Sequence, residues 1–354
     1  MKPLITALVD TYNHEKYIEQ ALVSVLEQGL SAAELEIVVV DDGSTDRTAS
    51  IIQNFAPRVK HLRKKNGGQA SAFNAGFAES RGEIIAILDG DDWWAPGKLA
   101  AVAQALEKNP EVAAVGHGYY EFDEKTGESR VCVPGERANV NLGSPEATIA
   151  AQRAWPFLLM GALTVRRRLL EWIMPLPEEM RFMADTALQT ATMAMGAVIL
   201  DEPLFYYRYH AQNLYAMDSG DAARLRRKWE MTELVYGRVY RMLIELGVPE
   251  ESVSALLEGT WMDAKRSRLS KFGGSRLEAF QTEMQSFRAD FKNPSAGYRL
   301  FKYLVVGAAT LLLPARRFYE LRNWYAEKNL GRYRGRILKA EVGGAGPRRD
   351  SVEK

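Results

Sequence analysis

Residues 83–94 read EIIAILDGDDWW. An apolar run, Ile84 to Leu88, stops at three carboxylates within four residues: Asp89, Asp91 and Asp92. Like charges side by side repel, and each pays desolvation if it is buried unpaired. A divalent cation resolves that conflict, because hard oxygen ligands suit Mg²⁺ or Mn²⁺. Gly90 lets the backbone turn tightly between the acids. A solvated acidic loop after a buried strand fits the same letters, so this stretch alone leaves both readings open.

The flanking sequence decides the setting. Residues 4–9 read as a short buried strand ending in Asp10-Thr11, and residues 35–40, LEIVVV, as a β-branched second strand ending in Asp41-Asp42. Residues 59–62 form a weak third strand, 83–88 a fourth and 112–115 a fifth. Helices are expected between them. One carries Ile18, Ala21, Leu22, Val25 and Leu26 on a single face, with Asn13 as its cap and Gly29 as its stop. Another spans about 46–55, capped by Ser44 or Thr45. A third is opened by Gly67-Gly68 and runs to about Glu79, and a fourth spans about 96–107 with Pro96 near its first turn. Strands alternating with helices at short intervals predict a parallel α/β sheet. Ligands bind beyond the carboxyl ends of such strands. The three acidic exits, at Asp10, Asp41-Asp42 and Asp89 to Asp92, therefore face one rim.

Signal weakens from Glu121 to about Ala154, where GERANVNLGSPE reads as loop. Residues 155–168 are apolar again and suit a strand or a platform beside the sheet. Residues 183–194 read as a helix with Asp185 near its first turn, and 197–200 as a strand leading into LFYYRYH. Beyond about Met217 the composition is helical to Phe291, broken at Gly247-Val248-Pro249, with a further break at Asn293-Pro294.

The chain has 354 residues, 47% hydrophobic and 26% charged, enough apolar material for a substantial core. Its net charge of +1 hides an asymmetry: residues 1–200 carry 19 basic and 26 acidic side chains, and the later part is correspondingly basic. A single cysteine, Cys132, excludes an intrachain disulfide and a multi-cysteine zinc site. The first residues lack the apolar run of a signal peptide, and no stretch reaches the roughly 18 apolar residues of a transmembrane helix. The basic run from 315 to 340 has no accompanying nucleic-acid motif, so no nucleic-acid partner is expected. With the apolar 303–313 stretch before it, it instead suits an interfacial helix on an anionic membrane or a buried helix with a solvated basic face.

Four segments in order carry a resemblance: VDTYNHEKYIEQALVSVLEQ (9–28), EIVVVDDGSTDRT (36–48), NGGQASAFNAGFAESRGEIIAILDGDDWW (66–94) and YRYHAQN (207–213). Together they resemble the GT-A-fold, inverting, nucleotide-sugar-dependent glycosyltransferases of family 2, over about residues 1–215. The resemblance implies a GT-A, Rossmann-like, mostly parallel sheet with flanking helices in 1–215, and composition adds a helical C-terminal region in 216–340 and a disordered tail in 341–354. It implies that Asp89-Gly90-Asp91 is the family's DXD motif. There Asp91 and Asp89 hold Mg²⁺ or Mn²⁺ and the donor ribose, with His210 on the diphosphate or the metal, and Asp92 stands behind them. It further implies that Asp42 contacts the nucleobase, that Asp10, Thr11 and Tyr12 lie beside it, and that Gly68 and Gln69 approach base or phosphate. Asp185 falls at the place of the catalytic base, and Trp93, Trp94, Trp155 and Gly161 on the acceptor side. The implied donor is a UDP-linked sugar. The implied acceptor is a hydroxyl of a glycan or lipid-linked molecule, reached in the cytoplasm or at the inner face of the membrane.

The chain departs from the family pattern twice. Ala184 precedes Asp185 where relatives carry Glu, and Phe73 precedes Asn74 where many carry a donor-contacting Arg. These departures leave room for a catalytically inactive nucleotide- or glycan-binding module. A dinucleotide oxidoreductase is set aside, because Asp10-Thr11-Tyr12-Asn13 stands where its Gly-x-Gly-x-x-Gly turn belongs.

Overall fold

The computed structural model describes residues 4–210, 222–290 and 296–322. They divide between two compact units, one built on a sheet and one of helices.

The first unit is a sheet flanked by helices. Its strands are β1 (Ile5–Thr11), β2 (Leu35–Asp41), β3 (Lys60–Arg63), β4 (Ile84–Asp89), β5 (Trp93–Trp94), β6 (Ala114–Asp123), β7 (Ser129–Cys132), β8 (Ala138–Val140), β9 (Thr164–Arg166) and β10 (Ala197–Tyr209). They run in the order β3-β2-β1-β4-β9-β6-β10-β5, with β7 on β6 and β8 on β10. The β3-β2-β1-β4 half is parallel throughout, as the alternating pattern predicts. β1 and β4 are buried on both faces, which is why their sequences are unbroken apolar runs rather than alternating ones. Each fully buried Leu, Ile or Val there contributes about 1.5–3 kcal/mol.

Register delivers the rim. Asp10 pairs with Asp89 across β1 and β4, and Thr11 with Asp41 across β1 and β2. The acidic strand exits therefore end level with one another.

Helices α1 (Ile18–Leu26), α2 (Thr48–Gln53), α3 (Gln69–Glu79) and α4 (Lys98–Lys108) fill the connections. α1 buries Ile18, Ala21, Leu22 and Val25, the predicted face. The predicted caps differ. Asn13 sits in the left-handed region (φ 58°) and spends its side-chain oxygen on the Thr45 N–H, while Ser44 Oγ accepts from the Asn13 N–H. These residues clasp the β1 and β2 exits together instead of starting helices.

The other half of the sheet was harder to read. β6 and β10 are long and parallel, and β10 shifts register on either side of Pro203. Between β4 and β6 runs β9, antiparallel to both. The 155–168 stretch is thus two short 3-10 turns, Trp155–Leu158 and Met160–Ala162, followed by β9. The weak 121–154 stretch holds β7, β8 and the helix α5 (Pro145–Ala154), capped by Ser144, so the part read as loop contains β8 and the start of α5. α6 (Arg167–Ile173) and α7 (Ala184–Met195) complete the unit.

The second unit comprises α8 (Ala222–Glu245), α9 (Glu250–Phe272), α10 (Arg276–Asp290) and α11 (Ala296–Leu312). Gly247, at φ 80°, makes the break between α8 and α9 where the sequence places it. Leu269, Ala279, Ala315, Phe318 and Tyr319 form a small core, and Arg266 pairs with Glu283 at 2.9 and 3.1 Å. No helix among the described residues is long and apolar enough to cross a membrane. α11 exposes Leu304, Val305, Leu311 and Leu312, while residues 323–354, with most of the basic run and the tail, lie outside the described residues.

Candidate active site

The strand exits of β1, β2 and β4 open into one cavity of about 560 Å³. Asp10, Thr11, Tyr12, Asp42, Gly68, Gln69, Asp89, Asp91, Asp92 and Asp185 all line it. Sequence reasoning had placed these residues on three strand ends, a loop and a remote helix, and the fold brings them to one wall-to-wall site.

The β2 exit carries its own cations and backbone donors. Asp41 is buried and accepts from the Ser44 N–H at 2.7 Å, with Arg63 Nε 3.5 Å away; it ties the turn. Asp42 faces the cavity. Its Oδ1 accepts from Lys64 Nζ at 2.7 Å and the Gly67 N–H at 2.9 Å, and its Oδ2 from the Gly68 N–H at 2.7 Å. A carboxylate has about four lone-pair sites. The Gly67 N–H also reaches Oδ2 at 3.2 Å, so three chain donors engage both oxygens of Asp42 at the cavity lining. Gly68 has φ +87°, and a Cβ there would lie 2.5 Å from the Arg181 oxygen, so no side chain fits between the two loops.

The β4 exit is crowded with charge. Burial pushes Asp10 up to about 7, opposed by a hydrogen bond from the Asp89 carboxyl and reinforced by Asp91. Burial, with Asp10 and Asp91 beside it, pushes Asp89 well above the usual carboxylate range. Burial and Asp91 do the same to Asp92, whose Oδ1 accepts from the Arg208 N–H at 2.7 Å. Asp91 goes the other way: burial raises it, but His14 and His210 outweigh burial and hold it below its ordinary value. His210 Nε2 stands 3.0 Å from Asp91 Oδ2, and His14 Nε2 3.8 Å from the same oxygen.

His210 is buried behind Asp91, against the Tyr17 ring at 4.8 Å, and is absent from the cavity lining. His14 does line it, with Nδ1 3.2 Å from Thr11 Oγ1. Sequence reasoning passed over His14; its signal was the His two residues after Tyr12 at the β1 exit. It also passed over Arg181, which lines the cavity and holds Asn66 Oδ1 at 2.7 Å. Arg208 is structural. It lies over Tyr17, Trp93 and Phe122 and donates to the Asp91 carbonyl at 2.8 Å, locking β10 to the acidic turn.

The expected acceptor platform differs. Trp93 stacks on Tyr206 at 4.6 Å, and Trp94 is buried under Lys98 Nζ at 4.1 Å. Gly161 packs on Phe205 and accepts from Lys98 Nζ. The aromatic rings are spent on packing the bulged β10, and the neighbouring Leu159 and Met160 reach the cavity instead.

Asp185 stands in the first turn of α7 on the cavity wall. Burial pushes it up to about 6, opposed by the Thr186 N–H, which donates to its Oδ1 at 2.9 Å. A carboxylate poised there suits a general base near neutral pH.

The residues also fit a divalent cation. Among the described residues no three His, Cys, Asp or Glu side chains converge on one ion position. Mg²⁺ needs no such cage, since it takes one or two carboxylates and fills its sphere with water and substrate phosphates. Asp89 and Asp91 supply that number. The buried Asp10 Oδ1 has no hydrogen-bond partner, which marks the exit as short of positive charge.

Residues 6–169 match the family model "Glycosyl transferase family 2". They form a glycosyltransferase family 2 domain. The chain is 35% identical over 217 residues to the uncharacterized glycosyltransferase alr2836 of Nostoc sp. (strain PCC 7120), covering 59% of this chain and 66% of that protein. TarS of S. aureus, residues 1–349, superimposes with a TM-score of 0.61 at 18% identity over 87% of this chain and 90% of TarS. TarS has also been solved with UDP-GlcNAc. The mannosyltransferase PcManGT of Pyrobaculum calidifontis, solved with GDP-Man and Mn²⁺, gives 0.50 at 22% identity over 88% of each chain. The family 2 domain thus has a GT-A-like sheet, mixed but mostly parallel, followed by a helical C-terminal region.

Proposed function

We propose that the family 2 domain is a metal-assisted, inverting glycosyltransferase. It moves a sugar from a nucleotide-sugar donor, UDP-linked, to a hydroxyl of a glycan or lipid-linked acceptor. The observation that carries this reading is Asp185. A carboxylate raised to about 6 shares one cavity with the Asp89–Asp91 turn, on an element distant in sequence.

The chain's own groups divide the work. Asp42, on the cavity lining, takes an N–H of the nucleobase, and Tyr12, exposed at the cavity mouth, offers a ring to stack on it. Asp89 and Asp91 would hold the cation, with His210 and His14 orienting Asp91. When bound, that ion neutralises charge on the departing nucleoside diphosphate. Asp185 accepts the proton of the acceptor hydroxyl. The acceptor oxygen then bonds to the anomeric carbon on the face opposite the leaving diphosphate, whose bond to that carbon breaks with both electrons. One displacement inverts the centre. The donor classes in TarS and PcManGT, and the Mn²⁺ in the latter, support this reading of donor and ion.

A panel of UDP-GlcNAc, UDP-Glc, UDP-Gal and GDP-Man, assayed for nucleoside diphosphate release with Mn²⁺ and with EDTA, tests it. The expected result is turnover of one donor that EDTA abolishes. Asp185→Asn should cut that turnover by about 10²–10⁴-fold while donor binding persists. The base must be ionised, so wild-type kcat should fall as pH drops through about 6. Full activity in Asp185→Asn sinks the assignment, and no turnover with any donor favours a binding module.

A further inference from the structure

The sequence places Gln69 on the donor, but the structure gives its side-chain oxygen another task. α7 begins without a cap of its own. Its N-cap residue, Met183, has no side-chain acceptor and lies in the left-handed region at φ 66°. The first N–H groups of a helix need partners from outside it. Here Gln69 Oε1 accepts from the Ala184 N–H at 2.8 Å, with the Asp185 N–H at 3.4 Å. Ala184 is fully buried, so water cannot replace that acceptor.

The arrangement is reciprocal. α3, which Gln69 starts, is also uncapped by its own residues. Its first N–H groups donate to the loop before α7: Gln69 N–H to the Arg181 oxygen at 2.8 Å and Ala70 N–H to the Met180 oxygen at 3.3 Å. Each helix start is capped by the other's chain. On its far side the same α3 start is held by Asp42, through the Gly67 and Gly68 N–H groups. A continuous path of backbone and side-chain hydrogen bonds therefore joins the Asp42 side of the cavity to the turn that carries Asp185.

We propose that Gln69 is a positioning residue whose amide oxygen caps α7 in trans and fixes Asp185 at the cavity wall. This rests on the reading of Asp185 as the base. Removing the acceptor frees the first turn of α7, and Asp185 moves off its line to the acceptor hydroxyl. A misplacement of about 1 Å costs on the order of 100-fold in rate.

The test compares Gln69→Leu, which fills the space without an acceptor, and Gln69→Glu, which keeps the oxygen, with Asp185→Asn alongside. The donor is whichever of the panel above is hydrolysed fastest. Gln69→Leu should lower kcat about 10–100-fold and leave the donor KM within about 2-fold, on the rate cost of misplacement. Gln69→Glu should restore most of the rate above pH 7. If Gln69→Leu raises KM and spares kcat, or changes neither, the positioning role is overturned while an inactive Asp185→Asn still supports the base. If Asp185→Asn is fully active, it is the base reading that fails. Should Gln69→Leu not fold, as judged by thermal melting, Gln69→Asn replaces it: one methylene shorter, it cannot reach the Ala184 N–H, and the same loss of kcat is expected.

Discussion

The exits of β2 and β4 face the same cavity and are built on opposite principles. At β2 the chain itself supplies the cations: Asp42 is held by Lys64, Gly67 and Gly68, and Asp41 by the Ser44 N–H on one oxygen with Arg63 3.5 Å from the other. At β4 the carboxylates are satisfied by too little. Asp10 and Asp89 face each other across paired strands, Asp92 accepts from the Arg208 N–H, and Asp91 has the imidazoles of His210 and His14 to lean on. The first exit is finished in the protein alone and can only present what it already holds. The second is left short of positive charge, which, on the proposed function, a cation and a diphosphate would complete together. Pre-formed recognition and deferred charge balance thus sit side by side on one sheet edge.

The sharpest way to break this contrast is Asp91→Asn. The isosteric amide keeps the shape of the turn and removes the one carboxylate of the Asp89–Asp92 turn held below its ordinary value. Loss of an electrostatic group at a developing charge typically costs about 10²–10³ in kcat. That loss is expected with Mn²⁺ present, and titrating Mn²⁺ should need a higher concentration for half-maximal rate. Unchanged Mn²⁺ dependence would mean the ion sits elsewhere.

The contrast was only half legible in the sequence. Strand exits are easy to find, because a buried parallel strand such as 84–88 is an unbroken apolar run that stops where polar letters begin. Asp10, Asp42, Asp89 and Asp185 were placed on one rim by that logic and by the resemblance, and the cavity gathers them. What the letters could not reveal is how the acids are partnered over distance: Gly67 lies 25 residues from Asp42, and His210 119 residues from Asp91. Gln69 looked like a donor ligand because its loop position is visible, whereas its bond to Ala184 spans 115 residues. The 114–123 and 197–209 strands were underestimated for a different reason. Their outer halves alternate aromatic and charged residues around Pro203, and only pairing with each other makes them continuous. Asn13, Ser44 and Thr45 carry the right chemistry for helix caps but are used to join two loops.

Asp42→Ala probes the finished exit. It leaves the Gly67 and Gly68 N–H groups and Lys64 without their acceptor, and an unsatisfied buried group costs about 1–3 kcal/mol. Nucleoside diphosphate affinity, measured by calorimetry, should weaken by about 5–150-fold, that same range converted. kcat at saturating donor should suffer less than in Asp91→Asn, because the proposed function puts Asp42 on the nucleobase, away from the reacting bond. An affinity unchanged from wild type would remove Asp42 from nucleotide recognition.

Asp10→Asn gives the smallest effect and the most direct test of charge shortage at β4. Asp10 titrates at about 7 in the fold against 3.8 for the ordinary group, so the folded state binds its proton more tightly than the unfolded one. A raised carboxyl pKa stabilises the fold at low pH and loses that contribution as pH climbs from 3.8 through about 7. In EDTA, wild-type Tm should therefore fall across that window. Asn carries no charge, and its amide can donate to Asp89, so the variant should lack that part of the slope. At pH 8 it should melt higher than wild type, by roughly 2–4 °C for each kcal/mol relieved. Near pH 4, where Asp10 is protonated in the fold, the difference should vanish or reverse. Mn²⁺ should raise Tm more in wild type than in the variant, because the ion relieves repulsion that the variant no longer has. If the two Tm-against-pH curves run parallel, Asp10 is not short of charge, and the β4 exit is as complete without a cation as the β2 exit beside it.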